Sequence, residues 1–165
     1  MVLMKRFAKV FLSVAVCFTL CSPASAKDNP ADTWISKTAQ KACVDYGNEY
    51  CICPELLMAI IETESSGDPK AKNGTCTGLM QVSSRWHADR MKRLGIKRLY
   101  DENDNVHVGT DYLAELIKEH GDVATALMLY HGESDALSKA DRGIISGYAS
   151  KILRRSAALE RLHGK

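Results

Sequence analysis

Beyond residue 26, apolar residues return every three or four positions along most of the chain, the spacing of helices with one buried face. No stretch alternates long enough to predict a strand, so the pattern predicts an all-α fold. Helices are expected over 32–46, ending near Gly47, and over 54–65, where Pro54 sits in a first turn that has no use for its missing N–H. Further helices are expected over 84–93, from Asp104 to a stop at Gly121, over 122–131 and over 140–162. Residues 66–77 are rich in Gly, Asp, Pro and Asn and predict a loop with a turn at Asn73-Gly74.

The first 26 residues follow another pattern. Lys5, Arg6 and Lys9 precede an apolar run over 10–21 and then Ala24-Ser25-Ala26, the arrangement of a secretory signal peptide. The run is too short to span a bilayer, so the expected product is an exported chain, 27–165, without a transmembrane segment and with one compact domain. Its expected location is extracellular or cell-wall associated, or periplasmic in a Gram-negative source. Loss of three basic residues takes the net charge from +2 to −1. With no basic cluster noted before the last helix, nucleic acid is not an expected partner.

Four cysteines remain after the leader: Cys43, Cys51, Cys53 and Cys76. An even count in an exported chain predicts disulfides. Cys51 and Cys53 are too close in sequence to pair, which leaves 43–51 with 53–76, or 43–53 with 51–76. The spacing lacks the paired C-x2-C knuckles of a zinc site. Asp101, Asn103 and Asn105 alternate as in a calcium loop, but Val106 stands where glycine is required and Tyr112 where the bidentate glutamate belongs. The segment therefore predicts an acidic helix start, and no metal or cofactor is expected.

The stretch IIETESSGDP carries the candidate chemistry. On a helical wheel with Leu56 at the origin, Ile60, Leu57 and Ile61 centre an apolar face at about 70–80°; Glu64 falls at about 80° and Glu62 at about 240°. Glu64 is thus expected to face inward and Glu62 to be solvated. Burial favours the neutral carboxyl, the form a general acid needs. In TGLMQV, Gly78 offers close backbone approach to a ligand, and the Gln81 amide suits sugar hydroxyls or acetamido groups. In ALMLYHG, Tyr130 follows Ala126 and Leu127 by one turn, the place of a core aromatic.

The three segments AIIETESSGDP, GLMQVSS and ALMLYHG, in that order, resemble the soluble-type lytic transglycosylases (SLT domain) of the lysozyme-like superfamily that includes goose-type lysozymes. The likeness runs from about Cys53 to about Leu153. It implies a single lysozyme-like helical domain over 27–165, with Glu64 of Glu64-Ser65 as the catalytic acid. It also implies substrate contacts from Ser65, Gly78, Leu79, Met80, Gln81, Tyr130, His131 and Tyr148, the last in SGYASKIL. The implied substrate is the peptidoglycan glycan strand. The implied protein is a monomer working alone or with a secretion, conjugation or phage apparatus. Two departures bear on specificity: His131 replaces the family's Asn, and the following GESDALSK is not glycine- and proline-rich.

The resemblance implies cleavage between N-acetylmuramic acid and N-acetylglucosamine with a single carboxylate. The rivals are a hydrolytic lysozyme, in which Asp68, Asp101, Glu133 or Asp135 positions a water, and a non-catalytic wall-binding protein on the same fold.

Overall fold

The computed structural model describes residues 32–165; the expected leader over 1–26 lies outside the described residues. Seven helices and a small sheet follow one another among the described residues: α1 Lys37–Glu49, α2 Pro54–Ser65, β1 Lys72–Asn73, β2 Cys76–Thr77, β3 Val82–Ser83, α3 Ala88–Leu94, α4 Glu102–His120, α5 Val123–Tyr130, α6 Ala136–Asp141 and α7 Gly147–Leu162. The all-α expectation holds, with one correction. The strands form an antiparallel sheet in the order β1-β2-β3, with Asn73 opposite Cys76 and Thr77 opposite Val82. At two residues each, they are too short to show alternation. Only the Asn73-Gly74 turn that joins the first two was visible in the sequence.

Helix α2 is the axis of the fold. Every residue from Pro54 to Ile61 is buried, so its first two turns are enclosed on all sides rather than on one face. It packs against α7 and α1, while α4 closes the other side against α1 and α5. Only the last turn is partly open to solvent. There Glu62, expected in solvent, accepts from the Arg155 guanidinium and ties α2 to α7.

Boundaries moved for local reasons. α1 starts where Ser36 caps the Ala39 N–H at 3.0 Å, and it continues through Gly47, which is buried where Ile52 and Pro54 approach it. The helix expected over 140–162 begins only at Gly147, because Gly143 takes φ 67° and Ser146 caps α7, and a separate short helix, α6, forms in the segment before it. Asp101 caps α4 through the Asp104 N–H at 3.1 Å, the acidic helix start that was expected.

Helix α3 has no buried residue. It is held by Arg90 and Arg93, which both bind the buried Asp111 carboxylate on α4; Tyr50 donates to that carboxylate at 3.0 Å. The segment 85–98 contains Arg85, Arg90, Lys92, Arg93, Lys97 and Arg98, a basic cluster before the last helix where none was expected. Asp111 neutralises part of it.

The four described cysteines are free thiols, so neither expected disulfide pairing forms. Both schemes join Cys76 to Cys51 or Cys53. Cys53 caps the N-terminus of α2, whereas Cys76 sits in the sheet beside its other end, where it influences Tyr130. A twelve-residue helix is about 18 Å long, far beyond disulfide reach. Cys53 instead donates to Glu55 at 2.9 Å.

A polar latch joins Asp32 and the start of α2 to the residues after α7. His163 bridges Glu55 at 2.8 Å and Asp32 at 2.9 Å, and Lys165 reaches Glu55 at 2.8 Å. Glu55 and Asp32 are both almost fully buried.

Candidate active site

Helix α2 ends in a left-handed Ser66. Ser65 Oγ donates to the Ile61 carbonyl at 3.0 Å and accepts from the Gly67 N–H at 3.3 Å. Ser65 therefore secures the helix end that carries Glu64, and its hydroxyl is engaged there. Glu64 is half-buried, and Oε1 accepts a hydrogen bond from the Tyr148 hydroxyl in the first turn of α7. The packing of α7 on α2 brings these two side chains together.

Burial, then the Glu64 charge and the bond to it, raise the Tyr148 phenol far above its ordinary value, so it remains a donor. Tyr130 donates to the Met80 carbonyl at 2.8 Å. Burial, then nearby Glu64, hold its phenol well above the usual value. Tyr130 is thus both packed against core residues and beside the acid, and its hydroxyl is committed to the loop.

That loop, 77–82, is built on Asn105. This fully buried amide donates to the Thr77 and Leu99 carbonyls, each at 2.8 Å, and accepts from the Met80 N–H at 2.8 Å. Gly78 has φ 78°, and a Cβ there would lie 2.3 Å from Asn105 Nδ2. Its glycine makes room for Asn105 and the Leu99 carbonyl. Leu79 and Met80 are core side chains at 1% and 0% exposure, which leaves them only backbone groups to present. Gln81 donates to the Gly78 carbonyl at 2.9 Å and the Ala71 carbonyl at 3.3 Å, bracing the loop from inside.

Each of the two tyrosines near the acid has a ring neighbour. His131, at the C-terminal end of α5, stacks on Tyr148 with centroids 3.9 Å apart. Tyr112 lies 5.3 Å from Tyr130, and His87 lies 4.5 Å from Tyr112.

The carboxylates that could serve as a second acid or base are occupied. Against desolvation, which pushes it up, Glu133 is held below the usual carboxylate range by Lys139 and Ser146; the Lys139 contact is 2.6 Å. Asp135 pairs with the same lysine at 2.9 Å, Asp68 accepts the Lys70 N–H at 2.8 Å, and Asp101 caps α4. Among the described residues no group of three or more His, Cys, Asp or Glu is placed to hold a metal.

Sequence reasoning singled out Glu64, Tyr130 and Tyr148, and the fold gathers them. It missed Asn105, Tyr112 and His87. Asn105 left a trace, because Asn105, Val108, Gly109 and Tyr112 share one helical stripe, and a polar residue in an otherwise apolar stripe marks a buried bond.

Residues 42–143 match the family model described as the transglycosylase SLT domain. Over 107 residues the chain is 38% identical to a protein of Enterobacteria phage PRD1 named transglycosylase, a match covering 64% of this chain and 38% of the relative. Over 80 residues it is 34% identical to the membrane-bound lytic murein transglycosylase E of Buchnera aphidicola subsp. Acyrthosiphon pisum (strain APS), covering 44% of this chain and 36% of the relative. The matched part spans little more than a third of each of these curated relatives.

Proposed function

The chain belongs to the transglycosylase SLT domain family, and we propose that it is a peptidoglycan lytic transglycosylase with Glu64 as its single general acid and base. The carrying observation is the Tyr148 to Glu64 Oε1 bond, made where the alternative carboxylates are engaged elsewhere. With Oε1 taken up by a donor, the second oxygen carries the proton and delivers it to the glycosidic oxygen between N-acetylmuramic acid and N-acetylglucosamine.

The bond to the leaving sugar breaks as the muramyl ring takes on oxocarbenium character, which the substrate's own N-acetyl group helps to stabilise. Glu64, now ionised, accepts the proton of the muramyl 6-hydroxyl as that oxygen closes on C1. The products are a free 4-hydroxyl and a 1,6-anhydro sugar, and no water is consumed. The two tyrosines near the acid and their ring neighbours offer faces for sugar rings. The site of action is the cell wall, with the glycan strand as partner.

Mass spectrometry of soluble products from purified peptidoglycan tests this. Wild type should release muropeptides about 18 Da lighter than hydrolytic products, and Glu64→Gln should release none. Reducing-end products instead, lost in Glu133→Gln, would establish a hydrolase. No products from a folded sample that still binds the wall would establish a binding protein.

A further inference from the structure

We infer that His131 is a positioning residue, whose imidazole clamps the Tyr148 ring so that the phenol is aimed at Glu64. The inference rests on the reading of Glu64 as the acid. The two rings are 15° from parallel with centroids 3.9 Å apart, a stack that fixes the plane of the phenol and covers one face of it. The same phenol donates to Glu64 Oε1, so a tilt of that ring moves the donor off the carboxylate.

The backbone that carries the imidazole is fixed at the end of α5. The Gly132 N–H reaches the Leu129 carbonyl at 2.9 Å, and the Glu133 N–H reaches the Met128 carbonyl at 3.0 Å. This double closure of α5 sets the His131 backbone and hence the direction of its side chain. Glu133 also lies close to Ser146, the cap of α7, so the segment carrying His131 runs beside the one carrying Tyr148. Because His131 is exposed, the contact is not imposed by core packing. An asparagine at this position, as in the family pattern, has no aromatic face to stack.

The test uses soluble glycan strands and separates kcat from KM for wild type, His131→Ala, His131→Asn, His131→Phe, Tyr148→Phe and the Tyr148→Phe/His131→Ala double variant. Ala and Asn should each lower kcat about two- to tenfold with KM little changed, and Phe should restore it by restoring the stack. In the Tyr148→Phe background the Ala change should cost nothing further, because the aimed hydroxyl is already gone. A rise in KM at constant kcat, with Asn equal to wild type and Phe no rescue, overturns the inference in favour of a sugar contact. Equal rates in all His131 variants overturn it outright. Failure of the parent reading shows separately, as a folded wild type that releases no anhydro product, and the inference then falls with it.

Discussion

Glu64 and Tyr148 lie 84 residues apart in the chain and share one hydrogen bond, made across the contact between α2 and α7. The donor is half-buried, and desolvation first of all holds its phenol far above the ordinary value, so it stays protonated. This bond distinguishes the two oxygens of the carboxyl group.

Removing only that hydroxyl should therefore cost catalysis and little stability. A hydrogen bond to a charged group contributes about 1.5–3 kcal/mol, so Tyr148→Phe should lower kcat about ten- to a hundredfold on soluble glycan strands while the melting temperature moves little. A kcat within twofold of wild type would show that Glu64 works without it.

Asn105 should matter more to the loop than any residue of the loop itself. Asn105→Ala strands two carbonyls and the Met80 N–H, all three of which the amide now satisfies. Urea unfolding should show a loss of about 3 kcal/mol or more, with activity falling as Met80, the acceptor for Tyr130, shifts. A loss under about 1 kcal/mol would mean that water replaces the amide.

The latch at Glu55 makes stability depend on pH. Desolvation pushes this carboxyl up, but bonds from Cys53, Lys165 and His163 outweigh it and hold the group at about 2, below its ordinary 4.5. A depressed carboxyl contributes stability above its unfolded value and loses it as pH falls through the folded one. Urea midpoints should therefore decline between about pH 4.5 and pH 2, with about 2–3 kcal/mol attributable to Glu55. Glu55→Gln should be less stable at neutral pH and show a flatter profile over that range; an unchanged profile would remove Glu55 as the cause.

The cysteines should alkylate in a graded order. Cys51 is exposed and should react first. Burial, then the bond to Glu55, pushes the Cys53 thiol up to about 12, so it should be slow; Cys43 is fully buried with its thiol raised and should wait for unfolding. Under denaturing conditions without reductant, labelling followed by mass spectrometry should find all four of these thiols. Labels missing in pairs would show that a disulfide forms in the folded protein.

Much of the site was legible because its carriers are local. The helical period placed α2 to the residue, and the ordered motifs singled out Glu64, the loop at Gly78 and Tyr130. The wheel favoured Glu64 over Glu62 on an assumption that does not hold, since α2 is buried all round over Pro54–Ile61 and the two glutamates of its last turn are both half-buried. The cysteine count suggested bridges that do not form, and for those to Cys76 the length of α2 is the reason, because counting ignores where a helix sends its ends.

By itself, the sequence determined what depends on neighbours within a turn or two: helical periods, the acidic start of α4 at Asp101, the turn at Asn73-Gly74, and the residue types that can donate a proton. The tertiary structure alone decided which side chains meet across long loops: Tyr148 with Glu64, His131 with Tyr148, Asn105 with the loop at Gly78, Arg155 with Glu62. The physical reason is that a hydrogen bond or ring stack acts over a few ångströms. Which distant residues come that close depends on how the helices pack, and helix periodicity carries no record of it.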